Sequence, residues 1–391
     1  MKKLTALLFC CFSFTIYAQV YISGVVYDID NNPLEGASVY INNTSLGTTT
    51  NDKGEFSLNL PKGIYQLVVS YIGYNPEKYT LNTVTHTEPI QFKLIEKDNM
   101  LDEVVIKKKI PLAKNSFYFR LFKKHFIGQS RFARNCKISN KNVLYYYFDT
   151  TDNVLVVSAS EPVIIVNKAL GYRIAYDLIE FELTPSRIKY SGYVKFSELD
   201  GSNRNKEKWF GNRIQSYNGS KMHFLRSVLN AKVEQEGYIV DYFSRRVNPN
   251  RPSDEKIAAA KEIWNNKNSL QRNTDTSVND ILEAKEVIDQ GNRLPKYLDE
   301  IIKNNIKPQE YIVSQNSKFE LKFSGFIRVT YQKQSLDRGF GHRTSSIFLY
   351  NQQAEIHPMG AFNDPLEVSL EGYWTSEKVG DLLPLDYNPK K

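Results

Sequence analysis

The sequence predicts a mainly β fold with a helical portion: an N-terminal β-sandwich, then a β-rich unit with a helical insertion. Three observations carry this expectation. Over the first quarter of the chain, apolar residues alternate with polar ones in short runs separated by turn residues. Tyrosine is abundant, 25 in 391 residues, and collects in segments that suit pleated strands. Between residues 203 and 312 the apolar period lengthens from two to the three-to-four of a helix.

The chain opens on Met1-Lys2-Lys3, an apolar run from Leu4 to Ile16, and then Tyr17-Ala18-Gln19. A charged start, a short apolar core and a small residue before the cut form a secretory signal peptide, with cleavage expected after Ala18. The run falls short of the ~20 apolar residues that a spanning helix needs. A lipoprotein leader is not expected, because Phe9 and Cys10 stand where a small residue should precede Cys10 or Cys11. Cleavage leaves Cys136 as the single cysteine, so no internal disulfide is expected and the core alone must hold the fold.

In the first domain Ala37, Val39 and Ile41 alternate with Ser38, Tyr40 and Asn42, and Phe56, Leu58 and Leu60 with Ser57 and Asn59. Such patterning places one face of each strand in a core. From Tyr65 to Ile72 the alternation breaks at Val68 and Ile72, which predicts a strand covered on both faces. Asn31-Asn32-Pro33, Asp52-Lys53-Gly54 and Pro61-Lys62-Gly63 supply the turns, and Gly54 and Gly63 are free to take positive φ.

The run SGVVYDIDNNPLEGASVYINNTSLGTTTNDKGEFSLNLPKGIYQLVVSYIGY, within residues 22–74, resembles the carboxypeptidase-regulatory-like module. The resemblance covers residues 20–96 and implies a prealbumin-like β-sandwich without catalytic residues of its own. A similar exit, Leu101-Asp102-Glu103-Val104-Val105, follows the module in TonB-dependent outer-membrane receptors, where a plug and a large barrel come next. Here Lys107-Lys108-Lys109 stand where the plug would begin, and too few residues follow for such a barrel, so a full importer is not expected. No metal or other cofactor is expected either: none of His86, His125, His223, His342 and His357 begins an HxxE pair, and HExxH does not occur.

Charge is unevenly spread. Basic residues number 51 against 43 acidic, and losing Lys2 and Lys3 lowers the net charge from +8 to +6. From Val104 to Phe148 there are eleven basic side chains and no Asp or Glu, so the rest of the mature chain is net acidic. Phe117, Leu121, Phe122, His125 and Phe126 fall at helical spacing within this stretch, and Gly128 is placed to end the helix. Lys107, Lys108, Lys109, Arg120, Lys123, Lys124, Arg131 and Arg134 are candidate contacts for an anionic lipid or lipopolysaccharide surface. The bland alternative is a linker and a docking helix whose charges are solvated. Nucleic acid is not an expected partner of an exported chain.

Beyond Asn135, Tyr145–Phe148, Val154–Val157 and Val163–Val166 read as strands, and Arg187–Phe196 alternates again. Ser220 is a good N-cap for a helix carrying Phe224, Leu225, Val228 and Leu229. Helical spacing continues at Ile257, Ala260 and Ile263-Trp264, at Ile281-Leu282 and Val287-Ile288, and at Leu298 and Ile301-Ile302. Strands resume at Lys318–Gln332 and Ser346–Tyr350. The expected domains are therefore 1–18 (leader), 19–106 (sandwich), 107–134 (basic linker and helix) and 135–391 (β-rich unit with a helical insertion over 203–312). The strings EPVIIVNKALGYRIAYDL (161–178), YNGSKMHFLRSVL (217–229) and LLPLDYNP (382–389) resemble exported proteins in which the same sandwich precedes a second unit, a likeness that implies no chemistry.

Catalytic signatures are sparse. CxxC, GxSxG, P-loop and dinucleotide fingerprints are absent from the sequence. Ser220 with His223, Cys136 with a distant histidine, and the carboxylates Asp177, Glu180 and Glu182 are the remaining candidates. The leading expectation is a non-enzymatic exported protein of the periplasm or outer membrane that binds or docks an envelope protein or a glycan. The rival is an envelope hydrolase acting on glycan or peptide through a site in 135–391.

Overall fold

The computed structural model describes residues 19–97, 116–270, 278–315, 318–335 and 342–390. Its first seven strands are β1 (Val20–Tyr27), β2 (Ser38–Ile41), β3 (Gly47–Thr49), β4 (Glu55–Leu60), β5 (Ile64–Ser70), β6 (Glu77–Asn82) and β7 (Ile90–Lys93). They form two sheets, ordered β4-β1-β7 and β3-β2-β5-β6. Only the β1–β7 pair is parallel. Ile22, Val26, Phe56 and Phe92 of one sheet and Val39, Ile41, Leu67 and Val69 of the other are buried, which is the mainly β sandwich that the alternation predicts. Gly54 takes φ +73° at its turn, whereas Gly63 keeps out of the left-handed region and donates its N–H to Thr83 Oγ1 at 2.8 Å. Val68 is fully buried beside Leu67 and Val69, as the broken alternation predicts, but Ile72 lies in the following turn and is exposed.

Helix α1 (Ser116–Phe126) follows, then β8 (Cys136–Ile138), β9 (Leu144–Asp149), β10 (Val154–Ala159), β11 (Val163–Asn167), β12 (Tyr172–Leu183), β13 (Ile188–Glu198) and α2 (Asn203–Tyr217). The strands form an antiparallel sheet ordered β8-β11-β12-β10-β9, with β13 along β12. Gly128 ends the first helix region at φ +99°. Phe122 and Phe126 are fully buried and stacked 4.7 Å apart, with Phe181 and Tyr176 edge-on at 4.9 Å. The apolar stripe of the basic segment is core.

The sandwich is bonded to this sheet. Asn43 N–H donates to Val194 O at 2.7 Å, and Phe196 N–H to Thr44 O at 2.9 Å, so the loop after β2 continues along β13. The C-terminal segment closes the same unit: Leu385 N–H donates to Asn43 O at 2.7 Å, Ser45 N–H to Asp386 Oδ1 at 2.8 Å, and Gly380 N–H to Ile127 O at 2.9 Å. The described residues up to Ser216 and from Glu377 onward thus make one compact unit, and those from Tyr217 to Ser376 another.

The second unit holds α3 (Lys221–Leu229), β14 (Tyr238–Val247), α4 (Asp254–Leu270), α5 (Val278–Arg293), β15 (Tyr297–Lys303), β16 (Ile312–Gln315), β17 (Lys318–Lys322), β18 (Phe326–Ser335), β19 (His342–Leu349), β20 (Gln353–His357), β21 (Ala361–Phe362), β22 (Val368–Gly372) and α6 (Tyr373–Ser376). Its sheets are ordered β15-β14-β18-β19-β22 and β16-β17-β20-β21. Phe224, Leu225 and Val228 of α3 pack with Val240, Ile327, Val329, Ile347, Leu321 and Trp374. Two expectations need correction. Leu298, Ile301 and Ile302 form strand β15 rather than a helix, because the segment pairs along β14 in register from Val247↔Tyr297 to Tyr242↔Lys303. The span 203–312 is likewise not one helical insertion, since β14 runs through it as a central strand. Among the described residues no helix is long and apolar enough to cross a membrane.

Candidate functional site

The carboxylates come first, since they are the groups a hydrolase would need. Asp177 sits on β12 at 6% exposure, where it accepts from Tyr40 Oη and Ser70 Oγ, each at 2.8 Å. Burial pushes its pKa up against the pull of these two donors. Tyr40 and Ser70 belong to the alternating residues of β2 and β5 that point away from the sandwich core, so Asp177 receives the outer face of the sandwich. Lys195 reaches the same face and donates to Ser38 Oγ at 2.7 Å, and burial lowers its pKa. Glu180, across the bulge at Leu178, is paired with Lys189 at 2.7 Å. Glu182, two residues further along β12, is half-buried.

Ser220 and His223 are adjacent, but as cap and packed ring. Ser220 Oγ accepts from His223 N–H at 3.1 Å at the start of α3. His223 Nδ1 accepts from Gly219 N–H at 3.1 Å, which fixes the proton on Nε2, facing Glu236 Oε2 at 3.3 Å. Burial lowers the His223 pKa, with Glu236 opposing. Cys136 is buried, and burial pushes its thiol up to about 12 with Asp381 adding to the effect, the reverse of an activated nucleophile. Among the described residues no group of three or more His, Cys, Asp and Glu is placed to hold a metal ion.

The basic candidates divide. Lys107, Lys108 and Lys109 lie outside the described residues. Arg120 and Lys124 are exposed on α1, and Lys123 is half-buried. Arg131 bonds to Gln215 and Asn212 of α2 and lies 4.6 Å over the Phe132 ring. Arg134 is exposed beside the buried Ala133.

Sequence reasoning missed what the conspicuous NKALGYR stretch does. The carbonyls of Lys168, Ala169 and Leu170 accept from Trp209 Nε1, Asn212 Nδ2 and Arg213 Nε at 3.0, 2.7 and 2.8 Å. Gly171, at φ +73°, lies under the Trp209 ring, and Arg213 spans the ring of Tyr172 at 4.0 Å and pairs with Glu198 at 2.7 Å. The stretch is a gripped turn. The spacing of side-chain N–H donors on α2, at Trp209, Asn212 and Arg213, was the available signal. A second cluster also went unread: Arg245 pairs with Asp299 and Glu371, each at 2.7 Å, and lies 4.7 Å over Phe326, which stacks on Phe243 and meets Phe348 at a tilt.

Comparison with known proteins bears on the first unit. A family model described as CarboxypepD_reg-like domain matches residues 22–106. The TonB-dependent receptor SusC of Bacteroides thetaiotaomicron is 36% identical over 90 residues, 22% of this chain and 8% of the receptor. A TonB-dependent receptor of Formosa agariphila is 33% identical over 97 residues, 24% of this chain and 9% of the receptor. A viral structural protein (structural protein 27, isolate Australia/Victoria) is 22% identical over 184 residues, 46% of this chain and 34% of that protein. This chain therefore spans less than a tenth of the receptors' length and about a third of the viral protein's. A solved structure of a protein of unknown function from Bacteroides fragilis covers 86% of this chain and 92% of its own at 9% identity, with a TM-score of 0.17, too low to carry an argument. Residues 22–106 are a CarboxypepD_reg-like domain, the β-sandwich module that this chain shares with TonB-dependent receptors.

Proposed function

We propose that this chain is an exported envelope protein that works by binding or docking a protein partner or a glycan, not by catalysis. One observation carries the reading: of the candidate side chains for hydrolytic chemistry, all but Glu182 are bonded into the fold or buried. Asp177 bonds to Tyr40 and Ser70, Glu180 to Lys189, Ser220 caps α3, and His223 is held between Gly219 and Glu236. The module shared with TonB-dependent receptors and the leader-like start of the chain support an envelope setting.

Capture from the protein's own envelope fraction, with the purified chain as bait and defined glycans in parallel, tests the reading. The expected result is one partner or glycan recovered repeatedly and competed by free chain. Hydrolysis of an envelope glycan or peptide by the purified chain, abolished by Glu180→Gln or Cys136→Ala with the fold intact, would overturn it.

A further inference from the structure

We infer that α1 carries a contact for an anionic lipid surface, in which Phe117 enters the headgroup region while Arg120 and Lys124 meet lipid phosphates. The inference rests on the envelope reading above and adds the surface on which the protein would sit. It begins from the division of α1 into two faces. Phe122 and Phe126 point inward and are fully buried, so the apolar stripe of the helix is spent on the core. Phe117, Arg120 and Lys124 recur at i, i+3 and i+7, which places them on one face of the helix, and all three are exposed, Phe117 at 56%. An aromatic ring left in water beside two cations is the composition of an interfacial contact, in which the ring leaves water and the cations find phosphate.

The electrostatics favour an anion over a solvated face. No Asp or Glu occurs between Val104 and Phe148. Lys141, from the turn before β9, holds its Nζ 4.6 Å from the Phe119 ring, adding a cation beside the helix. His125 on the same helix has its pKa lowered by burial first, with Lys124 and Lys378 adding to the effect. Several arginines elsewhere are paired, among them Arg213 with Glu198, Arg245 with Asp299 and Glu371, and Arg251 with Asp254, while Arg173, Arg187, Arg204, Arg246 and Arg293 make no ion pair among the described residues. Among the described residues, Arg120, Lys123 and Lys124 make no such pair. Lys123 and Lys124 suit the C-terminal end of a helix dipole, but that leaves Arg120 and the exposed Phe117 unexplained. A nucleic acid would engage the same cations; the envelope setting and the solvent-facing Phe117 ring favour lipid.

Co-sedimentation of the purified full chain with vesicles of phosphatidylcholine alone, and of phosphatidylcholine with phosphatidylglycerol, tests the inference. Binding is expected to the anionic vesicles only and to weaken as salt is raised, because the Debye length shrinks. Arg120→Gln with Lys124→Gln should lower partitioning about 25-fold, some 5-fold for each cation removed. Lys53→Gln with Lys62→Gln, exposed residues of the sandwich carrying the same charge change, should leave it within about 2-fold. Phe117→Trp should add fluorescence that brominated lipid quenches. Equal binding to neutral vesicles, an equal loss in the sandwich variant, or binding to heparin with none to vesicles overturns the inference. Partner capture is read separately, so this surface and the binding reading fail independently.

Discussion

Asp177 brings a carboxylate to a place that water barely reaches, and its two donors do not fully offset the desolvation. Its folded pKa is raised, so the stability it contributes is complete below the ordinary value of 3.8 and is lost as pH rises through the folded value. Asp177→Asn should therefore melt higher than the parent at neutral pH, with the gap narrowing toward acid. Asp177→Ala should be less stable than the Asn variant by about 2 kcal/mol, because the Tyr40 and Ser70 hydroxyls lose their acceptor. Thermal melts across pH would show both, and an Ala variant matching Asn would refute the bonding role. His223 has the opposite sign. Its folded pKa is lowered, so its contribution is complete above the ordinary 6.5 and is lost as pH falls through the depressed value. Protonation at Nδ1 would set a proton against the Gly219 N–H. His223→Gln, which can still accept from Gly219 and donate toward Glu236, should flatten the acid-side loss of stability; an unchanged slope would exclude His223 as its source.

At the scale of elements, the clearest dependence is α2 upon the turn between β11 and β12. A Cβ on Gly171 would stand 2.2 Å from Trp209 Cδ2, and the backbone there is left-handed. Gly171→Ala should cost on the order of 3 kcal/mol, overpacking and strain together. Denaturant titration measures it, and a loss below about 1 kcal/mol would mean that α2 shifts freely. The sandwich strands were legible in the sequence because one of their faces stays in a local core and the period of two survives. Ser220 and α3 were legible because a cap and a stripe are contiguous signals. β15 was misread because Leu298, Ile301 and Ile302 satisfy helical spacing, and only pairing with β14, more than fifty residues away in sequence, decides the matter. The alternation of β2 says nothing of where its polar face goes, and Ser38 and Tyr40 meet Lys195 and Asp177 more than 130 residues later. Candidate catalytic residues could be named from the sequence; that Asp177, Glu180, Ser220 and His223 are bonded into the fold could not.

At the scale of the molecule, the chain leaves the first unit at Ser216, builds the second from a continuous stretch, and returns after Ser376. The last segment is then a strap, with Asn167 Nδ2 donating to Gly380 O at 2.9 Å and Ser216 Oγ to Asp381 O at 2.7 Å. Removing residues 377–391 should lower the melting transition of the first unit and leave that of the second in place. Calorimetry with hydrogen exchange separates the two, and a uniform loss of protection would mean that the units unfold as one. The strap also sets an order of events during synthesis. A ribosome delivers the sandwich first, but the segment that closes its unit is made only after every residue of the second unit. Every residue of the second unit is made before the strap, whereas the first unit gains its closing contacts only once the strap has followed.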